Sequence, residues 1–141
     1  MDDKQLLQLA VQARKTAYVP YSHFAVGAAL MTADGKIYTG CNIESASYSP
    51  SNCAERTAFF KAVSEGERRF MAIAIVGGAD KKVPDELCPP CGVCRQVMME
   101  FCDPETFRII LAADPVCPQS FLLKELLPLG FGPKNLHREG G

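Results

Sequence analysis

The sequence predicts an α/β domain of three layers, α/β/α, with a mixed sheet in the middle. Three observations carry that expectation. Apolar residues recur at helical spacing in three segments. Between them lie short apolar or alternating runs bounded by turn residues, the pattern of strands. The order is helix, two strands, helix, strand, helix, strand and a tail, so helices fall between strands and must cover the faces of a common sheet.

The first helix runs from Asp3 to about Ala17, where Leu6, Ala10, Ala13 and Ala17 share a face with Leu7 and Val11 beside them. Asp2 or Asp3 stands near its N-cap, and Pro20 ends the element. "FAVGAALMT" is apolar almost throughout, as a strand covered on both faces is. The Asp-Gly of "ADGK" supplies a turn, and "KIYTGCNIE" alternates and returns as a second strand. Residues 53–65 read as a helix with Ser51 or Asn52 as cap and Gly66 as stop. "MAIAIVGG" is a short buried strand. After the loop "ADKKVPDELCPP", residues 91–102 read as a helix with Val93, Val97 and Phe101 on one face. "FRIILAA" is another strand, "DPVCPQ" a turn, and "SFLLKELL" a short strand or helix.

The bulk numbers narrow the function. A chain of 141 residues suits one domain, 1–141, and 48% hydrophobic residues suffice for a core without disulfides. Charge is balanced, with 15 Lys and Arg against 16 Asp and Glu and no basic block, which argues against a nucleic-acid polymer as partner. The N-terminus "MDDKQLLQLA" lacks a signal-peptide pattern, and "FAVGAALM" and "MAIAIV" are too short to cross a bilayer. The expected compartment is the cytoplasm, with nuclear access open. Seven cysteines, an odd number, then fit a metal or catalytic role better than a disulfide framework. Cys41, Cys102 and Cys117 are expected to be small buried hydrophobes.

The chemistry concentrates in "NCAERTAF" and "CPPCGVCRQ". Cys53 begins one helix, and Cys91 and Cys94 lie at i and i+3 at the start of another. Both helices follow strands, so both can start at one edge of the sheet. Three thiolates could then meet around one Zn²⁺ with a fourth position open, the pattern of a catalytic rather than a structural site. Cys88 leaves an alternative: all four cysteines together would close the site. Pro89 and Pro90, which lack an N–H to donate to sulfur and favour an extended chain, make Cys91 and Cys94 the preferred pair. Glu55, on the first turn after Cys53, can face the open position and move a proton from bound water; the helix dipole alone also favours a glutamate there. Zn²⁺ with three thiolates carries a net charge of −1. Arg56 could drain part of it by hydrogen bonding to sulfur, or be an ordinary surface arginine.

The two motifs together resemble the zinc signature of the cytidine deaminases, specifically the small homotetrameric branch whose first ligand is cysteine. The likeness extends through "VPYSHFAVGAAL", "GCNIESASYSPSNCAERTA", "AIAIV", "PCGVCRQVMMEF" and "ELLPLGFGP". It implies that family's fold, with a mixed five-stranded sheet, and one Zn²⁺ per subunit on Cys53, Cys91 and Cys94. It implies that Glu55 shuttles the proton from water to the pyrimidine N3 and then to the departing amine, with attack at C4 and release of ammonia. The backbone at Ala54 would contact the base, Phe24 would lie against the ring, and Asn42 and Glu44 would hold ribose hydroxyls. Ala46 and Tyr48 match a segment that reaches a neighbouring subunit's substrate, and Phe131 would close over a base in an adjacent subunit.

From the residues alone, Asn42 and Glu44 are two apart in an extended segment and point the same way, as polar residues at any strand end would. Phe24 could equally be a core phenylalanine. "LLKELLPLGFGP" is too apolar to leave in water and is core or interface. Cys88 is not a feature the family pattern requires, the loop 78–90 is expected to be longer than in some relatives, and residues 113–120 are not distinctive. The implied activity is hydrolytic deamination of cytidine and 2′-deoxycytidine in pyrimidine salvage. The alternatives are a deaminase of another cytosine-containing small molecule and a non-enzymatic module stapled by a four-cysteine zinc site. A polynucleotide editor lacks its basic channel, and a dithiol oxidoreductase leaves Glu55 and Cys53 without a purpose.

Overall fold

The structure, a computed structural model, describes residues 1–136. Helix α1 (Asp3–Arg14) is followed by strands β1 (Phe24–Thr32) and β2 (Ile37–Cys41), helix α2 (Ala54–Ser64), strand β3 (Phe70–Ala79) and helix α3 (Gly92–Phe101). Strands β4 (Arg108–Leu111) and β5 (Gln119–Leu122), helix α4 (Leu123–Leu126) and a 3-10 turn at Pro133–Leu136 complete it. The sheet has five strands in the order β2-β1-β3-β4-β5. Strand β1 runs antiparallel to both neighbours, β3 and β4 are parallel, and β4 and β5 antiparallel, so the sheet is mixed as expected.

Three layers follow from the two-residue period of the strands. Ala72, Ala74 and Val76 of β3 face α1, where they pack with Leu6, Leu7, Ala10 and Ile110. Ile73 and Ile75 face the other way, onto Ala58, Phe59 and Ala62 of α2 and Met98 of α3. Phe59 anchors that side, with Phe70 and Phe107 in ring contact at 5.1 and 6.1 Å between centroids. Small residues set how closely the helices approach. A Cβ at Gly27 would stand 2.0 Å from the carbonyl oxygen of Ala10, and one at Gly40 2.6 Å from that of Ala54. Gly40 therefore lets the first turn of α2 rest directly on β2.

The topology brings two helix starts together. Strands β2 and β3 both run antiparallel to β1 between them, so they point the same way. Helix α2 follows β2 and α3 follows β3, and both begin at the same edge.

Several boundaries differ from the sequence reading. Helix α1 ends at Arg14, three residues short of Ala17, and Asp2 is its cap through a capping box with Gln5. Arg14 then turns to three backbone carbonyls, those of Ala25, Ala79 and Lys82 at 2.8, 2.5 and 2.8 Å, and ties the ends of β1 and β3 together. "SFLLKELL" holds both a strand and a helix. On α3 the buried residues are Cys94 and Met98, and Val93 is exposed. Cys102 is buried as expected, but Cys41 is half-buried and Cys117 exposed on its turn. Among the described residues no helix is long and apolar enough to cross a membrane.

Candidate active site

Cys53 and Cys91 are themselves the N-caps of α2 and α3, Cys53 in place of the expected Ser51 or Asn52. Each holds extended backbone, and its carbonyl accepts the first helical hydrogen bond, from Thr57 and Arg95, both at 3.0 Å. Neither sulfur caps its own helix, so both are free to face outward. Cys94 is buried on the first turn of α3. The ligand atoms of Cys53, Cys91 and Cys94 all lie within 4.8 Å of one another, with Cys53 Sγ and Cys91 Sγ 3.7 Å apart. Sulfurs sharing a tetrahedral Zn²⁺ at about 2.3 Å would be roughly 3.8 Å apart. The cluster therefore fits a zinc ion without rearrangement of the helices.

Cys88 is not part of that cluster. It packs against the core on the α2 and α3 side, with its sulfur over Gly77 and close to Val26. Burial, and then the charges of Glu55 and Cys53, push its thiol up to about 12, so it stays protonated. Arg56 donates from Nη2 to Cys53 Sγ at 3.2 Å, and its buried Nε has no partner among the described residues. The Cys53 thiol is held down, to about 5, by hydrogen bonding with Cys94 first and then with Arg56 and Cys91. The same bond and burial keep the proton on Cys94.

Glu55 is only 4% exposed, on the first turn of α2. Burial lifts its carboxyl from an ordinary 4.5 to about 7, with the Cys53 charge adding to the shift. The helix dipole does not account for this residue, because a dipole-stabilised glutamate would be exposed and acidic. Ala54 beside it is fully buried.

The segment carrying Asn42 and Glu44 is clamped on both sides. Ile43 exchanges two backbone bonds with Asn52, at 3.0 and 2.9 Å, which fixes it to the start of α2. Tyr18 takes the other side, donating to Asn42 O and accepting from Glu44 N. Both side chains turn toward residues 21–26. The Asn42 amide donates to Phe24 O and accepts from Val26 N, each at 2.8 Å. The Glu44 carboxylate accepts from the N–H groups of Tyr21 and Ser22. Phe24 is exposed at the head of β1 and is not a core residue.

A cavity of about 430 Å³ opens here, lined by Tyr21, Ser22, Glu44, Tyr48 and Ser51. Tyr48 is exposed, in a left-handed conformation at φ 63°, and meets the Tyr21 ring edge-on at 6.2 Å. Ala46 lies exposed nearby in sequence. A second cavity of about 570 Å³ lies elsewhere, between Phe70, Phe101, Cys102 and the tail residues Gly130 and Gly132–Asn135, and is lined by none of Cys53, Cys91, Cys94 and Glu55. Phe131 is 58% exposed. Its carbonyl accepts from Gln96 at 2.7 Å, and Arg95 bonds Pro90 O and Leu126 O, so "RQ" ties α3 to the tail. The sequence reading did not assign these two residues a role; their position directly after "PCGVC" was the available signal.

Residues 1–110 match the model of the cytidine and deoxycytidylate deaminase zinc-binding region. The cytidine deaminase of Halalkalibacterium halodurans is 50% identical over 137 residues, covering 97% of this chain and 99% of its own. The cytidine deaminase of Mycobacterium tuberculosis is 43% identical over 130 residues, 92% of this chain and 90% of its own. The crystal structure of cytidine deaminase from Burkholderia pseudomallei superposes with a TM-score of 0.82 at 45% identity, covering 93% of this chain and all of that one.

Proposed function

The chain belongs to the cytidine and deoxycytidylate deaminase family, and on that premise we propose residue by residue how it carries out its reaction. It is a zinc-dependent enzyme that deaminates cytidine, giving uridine and ammonia from nucleoside and water. The finer reading takes residues 1–141 as one catalytic domain that accepts 2′-deoxycytidine as well and serves pyrimidine salvage in the cytoplasm.

Cys53, Cys91 and Cys94 hold one Zn²⁺ per subunit, and the observation that carries this is their mutual approach at two helix N-termini with Cys88 turned away. Zinc, when bound, supplies Lewis acidity that brings the pKa of a coordinated water near neutrality. Glu55 would take one proton from water as the water oxygen bonds to C4 and deliver it to N3 of the ring; it would then move the second proton, from the new hydroxyl on C4, to the amine, so that the C4–N bond breaks, ammonia leaves and the C4 carbonyl forms. A carboxyl held near 7 by burial suits both directions of transfer at neutral pH. Arg56 draws charge from Cys53, which offsets the electron richness of three thiolates. The Ala54 backbone and Phe24 contact the base, and Asn42 and Glu44 the sugar.

The same reading makes the enzyme a homotetramer with shared sites. Leu129, Phe131 and Leu136 stand exposed on the tail, together with Phe60 on α2 and Tyr48. That much apolar surface favours an interface over the core for "ELLPLGFGP". Ala46 and Tyr48 then contribute to a neighbour's substrate, and Phe131 covers a base in the adjacent subunit.

The test is chelation. Stripping zinc should abolish ammonia release from cytidine, and adding Zn²⁺ back should restore it. Cys53→Ser, Cys91→Ser and Cys94→Ser should each lose metal and activity together, and Cys88→Ser should keep both. Zinc retained by all three single variants would sink the ligand assignment.

A further inference from the structure

Ser22 has no role in the account above, yet it joins two residues that do. Its hydroxyl donates to Glu44 Oε2 at 2.5 Å and accepts from the backbone N–H of Phe24 at 3.1 Å. Its own N–H donates to Glu44 Oε1 at 3.1 Å, and the N–H of Tyr21 reaches the same oxygen at 3.1 Å. One carboxylate thus receives its donors from one tight turn. The turn is pinned beyond Ser22 as well. His23 sits in the left-handed region at φ 56°, its N–H bonded to Val19 O at 3.0 Å and its carbonyl to Asp80 N at 2.8 Å.

A carboxylate offers about four lone-pair sites. The turn fills those of Oε1 and one on Oε2, leaving about one on Oε2 for a donor in the cavity lined by Tyr21, Ser22, Glu44, Tyr48 and Ser51. Without the turn, a glutamate at a strand end would sample several rotamers and present its oxygens in many directions. With it, the remaining acceptor has a fixed place and direction.

We propose that Ser22 is a positioning residue for nucleoside recognition: its hydroxyl locks the Glu44 carboxylate to the Phe24 backbone and so presents a single acceptor to one sugar hydroxyl. The proposal rests on the reading of Glu44 as the sugar contact. The Ser22 hydroxyl, ahead of the two N–H groups, also holds the Glu44 carboxyl below its ordinary range, which keeps it an acceptor across the neutral region.

The experiment compares cytidine with its 2′,3′-dideoxy analogue, which lacks the 2′- and 3′-hydroxyls and keeps the 5′-hydroxyl, on wild type, Ser22→Ala, Ser22→Thr and Glu44→Ala. Ser22→Ala should raise KM for cytidine roughly 3- to 10-fold, the scale of one hydrogen bond to a charged group with two others left in place. It should leave kcat nearly unchanged and KM for the dideoxy analogue unchanged, and Ser22→Thr should restore the cytidine value. The ratio of the two KM values on one preparation does not depend on the fraction of folded protein. If Glu44→Ala leaves the preference for cytidine intact, the sugar reading of Glu44 fails and this inference fails with it. If Glu44→Ala erases the preference and Ser22→Ala does not weaken it, only the role of Ser22 is overturned. Equal losses on both substrates in Ser22→Ala would also overturn it, because they would mark a general structural role.

Discussion

Gly77→Ala, combined with Cys88→Ala, decides whether Cys88 is a packing residue or a fourth thiol for the metal. Gly77 lies in β3 opposite Val26 of β1. A methyl group there would come within 2.6 Å of Cys88 Sγ and 3.0 Å of Val26 Cγ2. Optimal contact between such atoms is about 3.5–4.0 Å, so roughly 1 Å of overlap must be relieved. The relief has to come from the stretch that leads through Pro89 and Pro90 to Cys91. Overpacking of this kind costs about 1–3 kcal/mol. Cys88→Ala alone removes a half-buried sulfur and should cost about 1 kcal/mol. In the double variant the new methyl enters the space the sulfur leaves. The pair should therefore be more stable than the sum of the singles by about 1–3 kcal/mol. Urea unfolding of the four proteins measures this, with bound zinc determined on the same samples. Additive losses would refute the packing account, and loss of zinc in Cys88→Ala would make Cys88 a ligand.

Other predictions bear on the rest of the site. Arg56→Ala should keep zinc but lower kcat about 10-fold, because one charge-assisted hydrogen bond to Cys53 is lost; unchanged catalysis at unchanged zinc content would remove Arg56 from the mechanism. Glu55→Gln should stabilise the zinc-stripped protein increasingly as pH rises. Folding lifts the Glu55 pKa from 4.5 to about 7, so the folded chain binds the proton more tightly and loses that advantage as pH climbs through this window. The difference, 2.5 times 1.36, amounts to about 3 kcal/mol at most, read as the gap between the two proteins near pH 8 less that near pH 4; a gap independent of pH would show that Glu55 is not desolvated. Deleting residues 128–141, of which 137–141 lie outside the described residues, should abolish both the tetramer and activity by gel filtration and ammonia assay, and an active monomer would contradict the shared-site reading. Gly40→Ala should displace the first turn of α2, where the added carbon would meet Ala54 O at 2.6 Å, and lower zinc affinity; wild-type zinc binding in a folded Gly40→Ala protein would show that the close approach is dispensable.

Much of this was legible in the sequence because the motifs sit at element boundaries. "FAVGAALMT" matches β1 residue for residue, since an apolar run between Pro20 and an Asp-Gly turn has few other fates. The two cysteine motifs begin helices, and that was enough to bring three thiols together. Strand order was not legible: nothing local states that β1 lies between β2 and β3, although that arrangement is what aligns the two helix starts. The caps were misread because cysteine is a poor capping side chain, and here the sulfur leaves its helix for the cluster. Of the expected Val93, Val97 and Phe101 face, Val97 and Phe101 pack against the core, and only Val93 faces out, because the first turn of α3 turns its buried side to the site through Cys94. Ser22 carried no signal beyond its place two residues before Phe24; its value comes from Glu44, twenty-two residues later, and only the fold brings them together.

The account turns on a metal site whose proton carrier is not a ligand. The most direct measurement is bound zinc per chain and ammonia released from cytidine, on wild type and Glu55→Gln prepared side by side. Wild type should hold zinc and release ammonia, and Glu55→Gln should hold as much zinc and react at least about 100-fold more slowly. Zinc lost with the carboxylate, or turnover that survives without it, would contradict the division of labour between the three thiols and Glu55.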